Sequence, residues 1–523
     1  LTGVREDRRA ALGELREAVE RVRELEALAS RHSPLFGEWK PPEVAREAGE
    51  ALLDKALSFA RLKGLGKGAE GEFVKLSAVA GGGASAFNAL GDEKVSRAAV
   101  EAALAIRRVV EEAEIAVRPV VAIASRALAK MEKRLAEGRE CECLIDVGLA
   151  DDEFRRAFNI AGRPLYFVYS VGDVEYGAVK AKGVKAVAVV SGKKTLRIEI
   201  LAEGVEGLSA KERVKALGGE WVRLATFEIN VEFGVIKLTP RVEASVRVVV
   251  EPVLAKHLSA LALTDAWMGG VYLESPDPTF HLLYALAVGE ATIRVAGVTF
   301  TEAGPTLNLL SKAPTERVNW LYEEVARELA ELGVDVGVKK LRRMAKSAAI
   351  EAIGEVLGEV EGAAGRCVEE LHNRLVELFD RVAREAAEEY IEAKAEGDKR
   401  EMKKAFRRAV GAVVAKKIFT ENVEDVVWWV LLLLGDGVIV VRDQVLGFSA
   451  KPVEAADVVM RVFARVMGAP LEVRREGMYN ATLSRSASRV AVERLFKRLE
   501  ETRVGNTPAS QLLTAVAEWW LGV

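Results

Sequence analysis

Two aspartates, Asp265 and Asp436, each close a short apolar segment and together could hold a divalent cation. In VVWWVLLLLGDGVIVV, Val426–Val441, nine apolar residues are followed by Gly435, Asp436 and Gly437. An ionised carboxylate at the foot of a buried helix is costly unless a cation or hydrogen-bond donors meet it, and the negative end of the helix dipole adds to that cost. LSALALTDA, Leu258–Ala266, repeats the arrangement with Asp265. Two buried helices that each deliver one carboxylate predict a shared metal site. Mg²⁺ suits such a site, because it takes one or two protein carboxylates and fills its other positions with water and phosphate. The plain alternative is that Asp436 turns into solvent at a helix end stopped by Gly437. Neither run is long enough to span a bilayer.

The acids need elements to position them. After Asp436 the pattern predicts a hairpin over Val438–Ala450, a helix over Pro452–Met467, a second hairpin over Leu471–Arg485 and a closing helix over Ala487–Glu501. In the second hairpin Tyr479, Ala481 and Leu483 alternate with Asn480, Thr482 and Ser484, which predicts an apolar face inward and a polar face outward. After Asp265 the pattern is poorer. GGVYLESPDPTF, Gly269–Phe280, offers one strand and a proline-rich turn.

These segments resemble the LAGLIDADG homing endonuclease family. Laid on the nine-letter motif, Leu258–Ala266 reads LSALALTDA and Trp429–Gly437 reads WVLLLLGDG, so both aspartates take the penultimate acidic position. The family repeat is a motif helix followed by two strands, a helix, two strands and a helix, as the residues after Asp436 are patterned. The family places a small residue at the third motif position for close helix packing; Ala260 fits this and Leu431 departs from it. The resemblance implies an Mg²⁺-dependent DNA endonuclease of homing type, or a degenerate descendant encoded by a mobile element. Asp265 and Asp436 would be the metal-binding catalytic acids, one for each half of a pseudo-twofold saddle on double-stranded DNA, in a monomer with internal pseudo-symmetry. Arg474, Asn480, Thr482 and Arg485 would contact bases or phosphates, with Gln444 and Lys451 as further polar contacts. The competing expectation is a DNA-binding protein with the same saddle and no catalysis.

Composition frames both readings. The 523 residues hold 75 Lys and Arg against 78 Asp and Glu, a net charge of −3, which argues against a wholesale nucleic-acid binder. Local balance is different: Gly437–Arg503 carries 12 basic and 8 acidic residues. Charged residues make up 29%, and glutamine occurs only at Gln444 and Gln511, a hyperthermophile-like composition. Cys141, Cys143 and Cys367 form neither a disulfide framework nor a four-ligand zinc pattern. The charged, helical opening LTGVREDRRAALGELREAVE lacks a signal-peptide core, so a cytoplasmic protein with no membrane association is expected. Leu1 at the start fits a fragment or a non-standard start equally. His32, His257, His281 and His372 have no ligand spacing and read as caps or surface residues.

The expected fold class is α+β. Residues 1–144 read as a helical domain. Within it, KGAEGEFVKLSAVAGGGASAFNALGDEK, Lys67–Lys94, and RPVVAIASRALAKMEKRLAEGRECECLIDVGL, Arg118–Leu149, resemble a crenarchaeal repeat-protein family of the PaRep type, which implies genomic mobility more than chemistry. Residues 145–250 switch to period-two, β-branched runs and read as a β-rich domain, with SGKK at Ser191–Lys194 as a hairpin turn around Gly192. Residues 251–335 and 421–523 form the two LAGLIDADG-like αββαββα halves. Between them, 336–420 reads as a helical insert, a solvated arm that doubles back at Glu396–Gly397–Asp398.

Overall fold

The computed structural model describes residues 119–137 except 121 and 125, and then residues 165–501 except 191–194, 209–215, 219–220, 231–234, 242–244, 253, 276–277, 302–303, 363–367 and 441–444. The first stretch resembling the repeat-protein family, the SGKK turn, the three cysteines, His32 and Gln444 lie outside the described residues. Helix and antiparallel sheet are mixed, as expected for α+β. Among the described residues no helix is long and apolar enough to cross a membrane.

The described residues divide into two compact units, one from Ile106–Val246 and Ile293–Leu310, the other from Arg247–Thr292 and Ser311–Val523. The first is the β-rich unit. Leu165–Tyr176, Val179–Val190, Thr195–Ala202, Trp221–Asn230 and Val235–Pro240 pair in that order as antiparallel strands. Cross-strand pairs such as Phe167 with Ala188 and Ile198 with Phe227 bury the apolar partners of each alternating run. This unit also takes Ile293–Leu310, which the sequence pattern assigned to the 251–335 half. Those strands are β-branched and alternating, and Val298–Phe300 pairs with Ile236–Leu238.

In chain order, both motif segments are followed by the same succession of elements. Helix Leu258–Leu263 leads to strands Ala266–Trp267 and Tyr272–Ser275, helix Pro278–Val288, strands Glu290–Thr301 and Gly304–Lys312, and helix Glu316–Glu331. Helix Val426–Asp436 leads to strands Gly437–Val440 and Val445–Ser449, helix Val453–Val466, strands Val473–Glu476 and Asn480–Leu483, and helix Arg485–Glu501. The first hairpin of the earlier copy is better formed than its sequence suggests. Trp267 pairs with Tyr272 and Ala266 with Leu273, and the chain reverses through Met268, Gly269 and Gly270, all at positive φ, while Pro278 opens the next helix. The turn signal was the Gly-Gly pair, and Pro278 belongs to a helix start.

The Leu258–Leu263 and Val426–Asp436 helices pack side by side in the second unit. Their N-terminal ends are tied together: Asp425 accepts hydrogen bonds from the Val427 and Trp428 amides through Oδ1, while Oδ2 lies 3.1 Å from His257 Nε2. One turn on, Trp428 Nε1 donates to Ser259 Oγ at 2.9 Å. At the other end Gly435 meets Thr264 so closely that a Cβ on Gly435 would lie 2.3 Å from Thr264 Oγ1. Contacts at matching ends mean that the helices run parallel and that both aspartates emerge at one end. The close approach falls at the seventh motif position, not the third; Leu431 is buried without preventing it. Trp428 and Trp429 are fully buried beside Phe419 and Phe463, with ring centroids 5.2–6.1 Å apart, which makes this pair the centre of the core.

The segment expected to be a solvated arm is partly core. Val368–Glu396 and Lys399–Ile418 do form the antiparallel pair, turning at Gly397 with Asp398 capping the second helix. The preceding Val338–Glu355 helix, however, buries Leu341, Ala345, Ala348, Ala349, Ile350, Ala352 and Ile353 and packs on the Leu258–Leu263, Lys399–Ile418 and Val453–Val466 helices. Its small, apolar stripe under a heavily charged face explains why charge counting alone read it as solvent-exposed.

Replacing Gly435 by alanine forces a methyl group into Thr264. A loss of about 1–3 kcal/mol, as for overpacked cores, is expected in urea unfolding followed by tryptophan fluorescence; unchanged stability would mean that the two helices are farther apart than described.

Candidate functional site

Three elements of the second unit build the site. Asp265 sits in the turn that leaves the Leu258–Leu263 helix, where Thr264 Oγ1 bonds back to the Ala260 carbonyl. Asp436 is the last residue of its own helix. Lys346, from the middle of the Val338–Glu355 helix, donates to the Thr264 carbonyl, and its Nζ lies 3.7 Å from Asp436 Oδ2. A cation at the C-terminal ends of two helices meets their dipoles favourably. The ammonium therefore offsets part of the charge that the two carboxylates bring together.

The offset is incomplete. Burial, then repulsion from Asp436, push the Asp265 carboxyl up to about 6, against the attraction of Lys346. Asp436 is raised as well, by burial, with the Lys346 charge and hydrogen bond opposing the shift. Of the two acids, Asp436 is the one that Lys346 approaches within ion-pair distance. Among the described residues no group of three or more His, Cys, Asp or Glu side chains gathers around a point, so the acidic component here is the pair itself.

Beside the pair opens a cleft of about 430 Å³. Its lining includes Asp436, Arg342, Arg343, Lys346, Lys451 and Trp267. Of the residues expected to bind DNA, Lys451 is exposed and lines this cleft, Arg474 and Arg485 are exposed, and Asn480 is half-buried. Thr482 is not on an outer face. It is 1% exposed and its hydroxyl donates to Glu476 Oε1 at 3.1 Å. The expected alternation fails at Tyr479 too, which is exposed with Lys451 Nζ 5.9 Å from its ring centroid. The reason is the strand order: Asn480–Leu483 lies between Val445–Ser449 and Val473–Glu476, so that Ala481, Thr482 and Leu483 are all covered, and Thr482 rests on Gly447.

Sequence patterning missed Lys346, Arg342 and Arg343. Their signal was present as VKKLRRMAK, Val338–Lys346, five cations without an acid in a chain that otherwise balances its charges. It missed two histidines differently. His257 is buried at the N-terminal junction of the paired helices, where Asp425, despite the upward push of burial, is held well below the usual carboxylate range by His257, the Trp428 amide and Lys256. His281 is fully buried between Ser311 Oγ, 2.7 Å from Nδ1, and the Ser275 carbonyl, 3.0 Å from Nε2, and burial lowers it to about 4. Sealed from solvent, this Ser–His contact is structural and offers no nucleophile.

Comparison with protein-family models, with curated proteins and with solved structures found no match.

A carboxylate raised in the folded state binds its proton more tightly there than in the unfolded chain, so its ionisation removes stability as pH rises from about 4 through 6. Asp265→Asn abolishes that loss. The variant is expected to be more stable than the wild type at pH 7, by about 2–3 kcal/mol at most, with the difference shrinking to nothing by pH 4; parity in urea unfolding at pH 7 would mean that Asp265 is not strained by its neighbours.

Proposed function

We propose that the paired helices of the second unit are the motif helices of a LAGLIDADG-like protein, and that the protein is an Mg²⁺-dependent endonuclease acting on double-stranded DNA. The observation that carries this reading is the parallel pair of motif helices delivering Asp265 and Asp436 to one end, each followed by the same αββαββα order. Two carboxylates brought to one end of the helix pair are a donor set suited to Mg²⁺, whose other positions water and phosphate oxygens would fill. Such an ion supplies charge at the leaving oxygen and a water acidified toward neutral pH. Asp265 and Asp436 would hold it in their ionised forms. Lys346 holds the Thr264 carbonyl and thereby the turn that presents Asp265. Lys451, Arg474, Asn480 and Arg485 remain as DNA contacts, and Thr482 drops out.

A second reading has its own support. The Lys346 ammonium near Asp436 is in the position to satisfy that acid without metal, which favours a descendant that binds DNA and no longer cuts it. The two separate in one experiment with plasmid libraries and Mg²⁺. An active endonuclease nicks or cuts its site, and Asp265→Asn or Asp436→Asn each lowers the rate by at least about a hundredfold while DNA affinity stays within a few fold, since the contacts to phosphate and bases lie elsewhere. Salt-sensitive affinity without cleavage at any Mg²⁺ concentration assigns the non-catalytic role, and an absence of DNA affinity at low salt refutes both.

A further inference from the structure

The cleft beside the acid pair carries an aromatic ledge. Trp267 follows directly on Asp265 and Ala266, and its indole stacks on Tyr272 with centroids 4.4 Å apart and planes at 17°. Tyr272 in turn has Lys312 Nζ 5.7 Å from its ring centroid. Trp267 is nevertheless 45% exposed, among the few large hydrophobic side chains that face solvent, and it lines the cleft. The turn behind it is built for this display. Met268 is held at φ 54°, uncommon for a residue with a side chain, and a Cβ on Gly269 would lie 2.7–2.9 Å from Arg342, so the hairpin rests directly on the basic helix. Arg342 Nε is enclosed there without a hydrogen-bond partner.

The chemistry converges on one class of ligand. A flat aromatic side chain that stays partly exposed, flanked by the cations Arg342, Arg343, Lys346 and Lys451 in a space of about 430 Å³, suits a π-system bearing phosphates. In a paired duplex the base faces are already stacked, and the phosphates alone are offered. An indole ledge reads a base only when that base is unstacked. Asp436 on the same wall leaves a purely anionic small ligand poorly served, whereas a strand threading past it presents one phosphate at a time to the cations.

We propose that this cleft binds an unpaired nucleotide within a polynucleotide strand, its base stacked on Trp267 and its phosphates held by the cations of the Val338–Glu355 helix and Lys451. The assignment goes beyond the endonuclease reading: it concerns strand recognition and stands whether or not a phosphodiester is cut.

The test is fluorescence anisotropy with the full chain, labelled short oligothymidylate, oligouridylate and a matched duplex, without divalent metal and at low salt. Wild-type protein binds at least one of the two single strands. Trp267→Ala weakens that binding by about tenfold, the effect of losing one stacked base, and changes duplex affinity less than twofold. Trp267→Phe, which keeps a ring on the ledge, falls between the two, and circular dichroism checks the fold of both variants. Equal single-strand affinity of Trp267→Ala and wild type, or no binding of either single strand, overturns the proposal. Trp267-dependent binding without Mg²⁺-dependent duplex cleavage would sink the endonuclease reading alone, and cleavage with no Trp267 effect would sink this one alone.

Discussion

Packing two apolar helices in parallel with their acid-bearing ends together is the constraint on which the rest of the second unit depends. The gain is the burial of Trp428, Trp429, Leu431 and their neighbours, worth about 1.5–3 kcal/mol for each large apolar side chain. The difficulty is electrostatic, since parallel helices align their dipoles and place Asp265 and Asp436 where both dipoles are negative. At the opposite end the same geometry is favourable. Asp425 caps one helix and meets His257 at the start of the other, so the pair is tied by hydrogen bonds at its N-terminal end and left in tension at its C-terminal end.

That tension gives the Val338–Glu355 helix its importance. Its apolar stripe lies on the motif helix and on the Lys399–Ile418 and Val453–Val466 helices, and the packing carries Lys346 to the one place where a cation relieves both helix ends. This helix shares the core of the unit and supplies the site's compensating charge. It also brings Arg342 and Arg343 to the cleft, so that acid pair, basic wall and aromatic ledge meet within one unit. Under the proposed function the acids would hold the metal and the cations would face the phosphates, two tasks that need opposite charge within a single cleft.

The later hairpin illustrates how position in a sheet limits a surface. Asn480–Leu483 is an inner strand, and inner strands have neighbours on both edges as well as a packed face. Arg475 is drawn into an ion pair with the buried Asp457 at 2.7 Å and so is committed to structure, whereas Arg474 stays at the surface. The basic character of this half is therefore divided between holding the sheet and facing outward.

Much of this was legible without coordinates. Period-two runs identified the strands of the β-rich unit, the apolar helices ending in aspartate identified the two acids, and Glu396–Gly397–Asp398 identified the turn of the long helical pair, because each signal is local and repeats with the period of its own element. What sequence alone did not reach was every feature set by a neighbour distant in the chain. The seventh-position contact of Gly435 with Thr264, the burial of Thr482 over Gly447, the sealing of His281 and the delivery of Lys346 to Asp436 all depend on which surfaces meet. Periodicity says that a face is apolar but not which face it covers, and a lysine in a charged helix looks the same whether it ends in water or against a carboxylate; only tertiary packing, which sets burial and distance, decides between them.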